Sequence, residues 1–265
     1  MTALRRQLVD LAYPAAALAL AVGAWHVGTV SGAVPSYLLP QPGRVFAALI
    51  DGAQNPLVWR HLNSTLQATI FGYVAGSLVA LVLAALIAEF RPVERFLIGP
   101  LTAIQAIPKV AVAPLVFLWA GFGLEGKTLL VALICFFPVF VNGLVGFRAA
   151  DANLLDLMRA AGASRFARFM EVKLPMAAPT IFAGLEVAVS FALIGCVVME
   201  FIGATRGMGF LIQDASNAFD LPTVFAAILT LGFIGVAGNA IVRFAHRRVV
   251  FWNRATATAS TGSAP

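Results

Sequence analysis

Six long apolar runs, separated by short polar segments, constrain this sequence more than any other feature. A helix needs roughly 20 apolar residues to cross about 30 Å of hydrocarbon. Only 11% of the residues are charged, against about 25% in a soluble domain. We therefore expect an all-α integral membrane protein with six transmembrane helices. The predicted spans are about Leu11–Val30, Leu66–Ala88, Phe96–Trp119, Thr128–Gly146, Pro179–Ile202 and Val224–Phe244.

Two of these runs have irregular features. The third contains Pro100, Pro108, Pro114 and Lys109. Prolines are tolerated in membrane helices where neighbouring helices satisfy the freed backbone groups, so we predict a kinked helix buried in the bundle. The first run follows two arginines and precedes small residues at 31–33, as in a signal peptide. Its apolar stretch is longer than the usual 7–15 residues, which favours a retained helix.

The distribution of cations predicts the orientation. With both termini in the cytoplasm, thirteen Lys and Arg residues fall inside, four fall outside, and Lys109 lies within the membrane. Cytoplasmic loops of membrane proteins are enriched in Lys and Arg, so this orientation is favoured. It also accounts for the net charge of +6 without a nucleic acid partner. The four external cations are Arg44, Arg60, Lys127 and Arg206.

Glycine spacing predicts two places of close helix packing. Gly72 and Gly76 form a GxxxG pair, and Gly232, Gly235 and Gly238 follow one another in the last span. Small residues let membrane helices approach closely, although glycine is also simply frequent in such helices.

The sequence argues against catalysis and against nucleotide binding by this chain. The segment GFGLEGKT, residues 121–128, fits the phosphate-loop pattern GxxxxGK[ST], but it joins two predicted spans and lacks the required preceding strand. We interpret it as a chance match. His26, His61 and His246 are scattered, and Cys135 and Cys196 form no CxxC pair. We expect no catalytic residues, no metal and no cofactor.

A polar segment between the fourth and fifth spans predicts a helical elbow. Residues 151–161 have apolar residues at three- and four-residue spacing, typical of a short helix. Gly162 suits the left-handed position that ends a helix, and Ser164 can cap a second helix that runs to Pro175. From the residues alone, an ordinary basic cytoplasmic loop remains the alternative.

This segment resembles the EAA loop of permease subunits of bacterial ABC importers. Its pattern is EAA, three residues, glycine, nine residues, Ile, one residue, and Leu-Pro. Here Asp156, Leu157 and Met158 occupy the EAA position, Gly162 the glycine, and Leu174-Pro175 the end. Asp replaces Glu and two bulky residues replace the alanines, which makes the contact surface larger.

The similarity extends along most of the chain, to segments 106–123, 136–148 and 199–212. These segments resemble permeases for nitrate, sulfonate and taurine, a group that includes carriers of thiamine-pyrimidine precursors and riboflavin. Glu186 departs from the lysine expected there. The resemblance implies a six-helix type-I ABC importer permease of MetI-like fold in the bacterial inner membrane.

The resemblance also implies partners and domain boundaries. The partners would be a second copy of the permease, an ATP-binding subunit, an external solute-binding protein and membrane lipid. Residues 1–62 would supply an extra helix and an external connection. Residues 63–250 would form the type-1 transmembrane domain with a cytoplasmic coupling loop at 149–178, and 251–265 a disordered tail. Asp156, Leu157 and Met158 would contact the ATPase.

Charged residues within spans are expensive and should face protein or water. Lys109 and Glu186 are predicted at comparable depth, so they either pair or leave Lys109 on a path for an anionic solute. Glu200 lies near an outer end, in an external gate or in interfacial water. Gln105 is a further path candidate. A secondary transporter driven by an ion gradient is the alternative function, but its usual matched broken helices are not evident.

Overall fold

A computed structural model describes residues 2–253, except for the side chains of residues 2–11, 14, 15 and 253. Residue 1, residues 254–265 and those side chains lie outside the description, and with them most of the predicted tail at 251–265. The first three residues of that predicted tail, Phe251–Asn253, form a 3₁₀ turn.

All regular secondary structure of the described chain is helical, with no strand among residues 2–253. The helices are α1 Thr2–Val30, α2 Pro42–Gln54, α3 Pro56–Glu89, α4 Arg91–Gln105, α5 Ala113–Ala120, α6 Leu124–Arg148, α7 Ala152–Ala160, α8 Arg165–Arg168, α9 Leu174–Gly203, α10 Met208–Asn217 and α11 Leu221–Val249. A 3₁₀ turn at Lys109–Val112 precedes α5, and a π turn at Phe169–Lys173 joins α8 to α9.

Four helical segments are long and apolar enough to cross a membrane: α3, α6, α8 to α9 taken together, and α11. The bent pair α4 and Lys109–Ala120 supplies a fifth span if it is counted as one. The first predicted span falls in α1, whose apolar part within the described side chains is Ala16–Val30. The membrane-protein prediction is confirmed, and six spans remain compatible with this count.

The third predicted span is broken rather than kinked, and its first half, α4, is not buried. Its two halves meet at 89°, with Ala106–Pro108 outside regular helix. Pro108 disfavours the helical conformation of Ile107 and has no N–H to donate, and Pro114 follows at the start of α5. No residue of α4 is buried within this chain, and Phe96 is 78% exposed.

The core of the bundle lies between α3, α6 and α9. Its buried residues are mostly small, with Ala68, Ala80 and Ala84 from α3 and Ala188 and Ala192 from α9. Without a hydrophobic force between helices in lipid, association depends on close van der Waals packing, which small residues permit. Of the three helices α6 is the most enclosed, because over half of the residues in its most apolar stretch are buried.

The predicted GxxxG pair is at the tightest contact in this core. A Cβ added at Gly72 would lie 2.5 Å from Val131 Cβ, and one added at Gly76 would lie 2.8 Å from Ala132 Cα. The backbones of α3 and α6 therefore touch with no room for a methyl group. In α11, Gly235 and Gly238 pack against Leu193 and Val189 of α9, whereas Gly232 faces open space.

We predict that Gly76→Ala destabilises the bundle while Gly232→Ala does not. The added methyl at position 76 would force α3 away from α6, and overpacking of this kind costs about 1–3 kcal/mol. At position 232 the methyl meets nothing within 4 Å. Thermal unfolding of the two variants in the same detergent measures the difference. Equal midpoints would contradict the close contact.

Candidate functional site

The polar elbow between α6 and α9 forms with the turn chemistry expected from the sequence. The side chain of Asp151 caps α7 by accepting a hydrogen bond from Asn153 N at 2.8 Å. At the other end Gly162 has φ +80°, and Ala163 N donates to Met158 O at 2.9 Å. This is the glycine-dependent helix stop in which the left-handed residue frees the chain to reverse. Ser164 Oγ then caps α8 by accepting from Ala167 N at 3.1 Å.

The second helix of the elbow does not end at Pro175, contrary to the prediction. α8 continues through the π turn directly into α9, and Pro175 lies in the first turn of α9. In the π turn Leu174 N donates to Phe169 O, five residues back. The wider turn accommodates the missing N–H and the ring of Pro175, which would clash with a regular helix. The elbow is therefore continuous with a membrane helix.

Three further contacts attach the elbow end of the molecule to its helices. Phe169 packs on Phe147 of α6 with ring centroids 5.2 Å apart. Lys173 pairs with Glu89 at the end of α3, and both side chains are largely buried. Arg148 of α6 pairs with Glu94 of α4. The segment after Ser164 is therefore packed on α6, paired with α3 and continuous with α9.

The first half of the elbow is exposed. Leu157 is 66% exposed, Phe166 is 71% exposed, and Met158 is half-buried. Asp156 lies on the surface, where it pairs with Arg159 at 2.6 Å. The elbow thus presents apolar side chains and a charged pair away from the bundle.

The broken third span lines a cleft of about 450 Å³ together with α6 and α9. Lys109 and Gln105 both contribute to its wall, beside Asn142, Phe137 and Phe191. Lys109 Nζ donates to Gln105 O at 3.1 Å and lies 4.5 Å from the centroid of the Phe137 ring. Two candidate path residues are therefore adjacent, and the ammonium group sits over an aromatic face, which attracts cations.

Glu186 does not pair with Lys109, contrary to one of the two expectations for these residues. Its carboxylate contacts Arg243 Nε at 3.3 Å and His246 Nδ1 at 3.4 Å, both on α11. The ring of His246 also stacks on Phe182 at 4.9 Å. Because α9 and α11 run antiparallel, the C-terminal cations of α11 reach Glu186, and Lys109 lies at the cleft instead.

Glu200 lies neither in interfacial water nor on an open gate in this structure, because its side chain is fully buried. It pairs with Lys127 Nζ at 3.0 Å and accepts hydrogen bonds from Thr65 Oγ1 and Gly209 N, both at 2.8 Å. Lys127 also donates to Ser64 Oγ and to the carbonyl of Arg206. This buried polar cluster joins α3, α6, α9 and α10 at the end of the bundle opposite the elbow.

The same cluster explains why residues 121–128 are not a phosphate loop. No strand precedes them, and Lys127 of the pattern is 3% exposed and committed to Glu200. The sequence predicts Lys127 in an external loop, and the pair with Glu200 was not predicted. One feature could have indicated it, because both residues are predicted at the outer ends of consecutive spans and carry opposite charges.

The described residues thus form a polytopic helical bundle with a projecting elbow, which is the architecture of a membrane transport subunit. The chain belongs to the family of binding-protein-dependent transport system inner membrane components, whose model matches residues 72–251.

Curated relatives carry the same description of a permease. The riboflavin transport system permease protein of Chloroflexus aurantiacus is 34% identical over 86% of this chain and 85% of the relative. The formylaminopyrimidine transport permease protein of Halalkalibacterium halodurans is 31% identical over 82% and 87%. A putative aliphatic sulfonates transport permease protein of Bacillus subtilis is 30% identical over 88% and 85%.

A solved structure has the same fold. An inward-facing form of the MetNI methionine ABC transporter aligns with a TM-score of 0.53 at 19% identity, covering 71% of this chain and 97% of the chain in that structure. The MetI-like fold implied by the resemblance to ABC importer permeases is therefore confirmed. Family membership makes this chain a multi-pass inner membrane component of an ABC importer for small solutes, and not an enzyme. It implies a separate ATPase subunit and a solute-binding protein as partners.

We predict that Lys127→Met alone strongly destabilises the protein and that Lys127→Met with Glu200→Met recovers most of the loss. Removing one member of a buried ion pair leaves an uncompensated charge and costs about 3–5 kcal/mol, whereas an apolar pair of similar volume is tolerated. Chemical unfolding of the single and double variants in detergent measures this coupling.

The matched control is Arg159→Gln, which breaks the exposed pair with Asp156. An exposed pair contributes about 0–1 kcal/mol, so this change should be nearly silent. Equal losses for Lys127→Met and Arg159→Gln would contradict the structural role of the buried cluster.

Proposed function

We propose that this chain forms, with a second copy of itself, the transmembrane path for a small anionic or organic solute. A separate ATPase drives it through the EAA-type elbow at residues 149–178. The main support is the geometry of that elbow, a glycine-reversed pair of short helices that is exposed on one side and continuous with a membrane helix on the other.

The exposed side of the elbow fits a protein partner. Leu157 and Phe166 are large apolar side chains left uncovered on a polar segment, as at the centre of many interfaces. Asp156 adds a carboxylate beside them. Because Met158 is half-buried, we assign the apolar contact mainly to Leu157, with Met158 supporting it from beneath.

The inner side of the elbow fits the transmission of force. Closure of the two ATPase subunits would push the paired elbows together. The π turn, Phe169 and the Lys173–Glu89 pair would carry that displacement into α9, α6 and α3. The bundle would then turn from inward- to outward-facing as rigid elements, the usual form of such transitions.

The uncovered face of α4 and α5 fits a second copy of the permease and lipid. No residue of α4 is buried, and Leu118 and Trp119 of α5 are each 73% exposed. Since this segment also lines the cleft with Lys109 and Gln105, a partner copy against it would enclose the path between two subunits.

The proposed orientation keeps both termini and the elbow in the cytoplasm. In support, the elbow end of the described bundle carries most of the cations, including Arg91, Arg159, Arg165 and Arg168. The buried cluster and α10 would then face the outside, where a solute-binding protein delivers solute.

The cleft suggests the chemistry of the solute. Among the described residues Lys109 makes no salt bridge, and it shares the cleft with the polar side chains of Gln105 and Asn142 and two aromatic rings. An ammonium group, amides and aromatic faces suit a small anion that carries an organic portion. Aliphatic sulfonates, named for one relative, fall in that range. Riboflavin and formylaminopyrimidine, named for two others, are neutral heterocycles, which the amides and aromatic rings would suit.

We predict that Gly162→Val abolishes ATP-driven uptake by the assembled transporter and weakens co-purification with the ATPase. A β-branched residue cannot adopt φ +80° without strain, so the elbow would lose its reversal. Gly162→Asn is the matched control, because Asn tolerates the left-handed region, and it should retain most of the activity. Uptake by the purified permease alone, driven only by an ion gradient, would contradict this mechanism and favour a secondary transporter.

We predict that Lys109→Gln lowers uptake of an anionic solute by at least about tenfold, while Lys109→Arg retains it. Loss of one close charge interaction of about 1.4 kcal/mol corresponds to that factor. Proteoliposome uptake with an alkanesulfonate, nitrate and a neutral pyrimidine as probes measures the effect. An equal loss for charged and neutral probes, or for both substitutions, would show that Lys109 only stabilises the bundle.

A further inference from the structure

A strongly basic pocket of about 700 Å³ lies between the elbow and the turn that joins α3 to α4. Five cationic side chains and one carboxylate line it. They are Arg91, Arg159, Arg165, Arg168, Lys173 and Glu89. The pocket is separate from the cleft at Lys109, which lies between the broken span, α6 and α9.

Three of the five cations have no salt-bridge partner among the described side chains. Lys173 pairs with Glu89, and Arg159 pairs with Asp156. Arg91, Arg165 and Arg168 are the three that form no such pair there. Guanidinium groups gathered around one concavity repel one another, so an anion bound between them would be stabilised. Their planar forks match the oxygens of a phosphate group.

Different elements hold these arginines, which makes the pocket a feature of the tertiary fold. Arg91 begins α4, directly after the α3 to α4 turn, and Arg165 and Arg168 lie three residues apart on α8. Residues at this spacing share one face of a helix. The Lys173–Glu89 pair holds the two sides of the pocket together.

One lining residue, Glu89, ends the membrane-length helix α3, so the pocket would lie at the boundary of the membrane. α3 ends at Glu89, and α9 begins at Leu174, immediately after the lining residue Lys173. Phe90, 44% exposed, forms part of the wall, and Phe96, 78% exposed, lies further along α4. A phospholipid site needs cations for the phosphate group and apolar surface for the acyl chains. The arginines of the pocket would supply the first, and the exposed rings of Phe90 and Phe96 the second. Basic pockets between membrane helices are known to bind anionic headgroups.

We propose that this pocket binds the phosphate of an anionic phospholipid, with the acyl chains against α4. The occupant then links the elbow to the α3 to α4 turn through Arg165, Arg168 and Arg91. A protein surface fits less well, because the pocket is concave and the exposed apolar residues Leu157 and Phe166 lie outside its lining. A soluble phosphate shares the headgroup chemistry but makes no use of the exposed rings.

The test is a titration of the purified full-length permease, in a non-ionic detergent and without its ATPase, followed by native mass spectrometry. The probes are phosphatidylglycerol, phosphatidylcholine and glycerol 3-phosphate. We expect the wild-type protein to bind phosphatidylglycerol in preference to phosphatidylcholine. The R165Q/R168Q variant should bind phosphatidylglycerol about thirtyfold more weakly, since each of the two cations contributes on the order of 1 kcal/mol to anionic-lipid binding and about 1.4 kcal/mol is a factor of ten.

The matched control is R247Q/R248Q, which removes two exposed cations at the end of α11 that do not line the pocket. It should keep the affinity of the wild type. Arg91→Gln is a second test from the other wall of the pocket, independent of the folding of the elbow, and should weaken binding by several-fold.

Three outcomes would overturn the proposal. The first is an equal loss in the R247Q/R248Q control, or no preference of the wild type for phosphatidylglycerol. The second is glycerol 3-phosphate binding as tightly as the lipid, which would assign the pocket to a soluble phosphate. The third is unchanged lipid binding by R165Q/R168Q together with lost co-purification of the ATPase, which would assign these arginines to the protein interface. Because the titration contains no ATPase, its result is independent of the proposed coupling function.

Discussion

Close backbone contact between α3, α6 and α9 is the constraint on which the rest of the molecule depends. In lipid no hydrophobic force draws helices together, so their association requires atoms in direct contact. Gly72 and Gly76 bring α3 onto α6, and Gly184 brings α9 onto α6, where a Cβ would lie 2.7 Å from Asn142 Cβ. Every site described above is attached to this three-helix unit, including the elbow, the cleft and the buried cluster.

The charges of the described bundle are distributed along it in a way that gives its two ends different tasks. At the end opposite the elbow, Lys127 and Glu200 are buried and fully engaged, which fixes the turn between α9 and α10. At the elbow end the ion pairs are partly exposed, and several arginines there have no salt-bridge partner among the described side chains. A buried ion pair is costly to break, whereas exposed pairs exchange partners readily. The first end is therefore rigid, and the second is suited to binding other molecules.

The sequence predicted the parts of the fold that depend on local rules. Span positions followed from hydropathy, the close contact from GxxxG, and the elbow from a capping serine and a glycine at the left-handed position. Both turn predictions were confirmed in detail at Ser164 and Gly162. The resemblance carried by the loop correctly indicated the family, because Gly162 and Leu174-Pro175 fit the spacing of the family pattern although Asp156 to Met158 depart from its residues.

The predictions that failed concerned features with no recognisable sequence pattern. A pair between Glu186 and Lys109 was one of two expectations, based on estimated depth alone, and depth does not specify which neighbouring helix lies beside a side chain. The continuity of α8 with α9 was missed, because a π turn that accommodates Pro175 has no simple sequence pattern. The exposure of α4 was likewise hidden, since apolar composition is the same for a helix that faces lipid, a partner or a core.

The continuity of α8 with α9 determines how a displacement of the elbow would spread. A flexible loop between α8 and α9 would absorb motion, but the π turn keeps the backbone hydrogen-bonded, and Val172 within it is buried. α9 then runs 30 residues, about 45 Å at 1.5 Å per residue, from the elbow to the cluster around Glu200. Because α9 is seated on α6 along this length and its far end is anchored by Lys127, a push on the elbow can tilt α9 only together with α3 and α6. The broken span is only partly seated on that unit, because Ala113 and Val116 of α5 are buried against α6 and α9, whereas no residue of α4 is buried. The helix α4, which lines the cleft through Gln105, is then the element against which the unit would move.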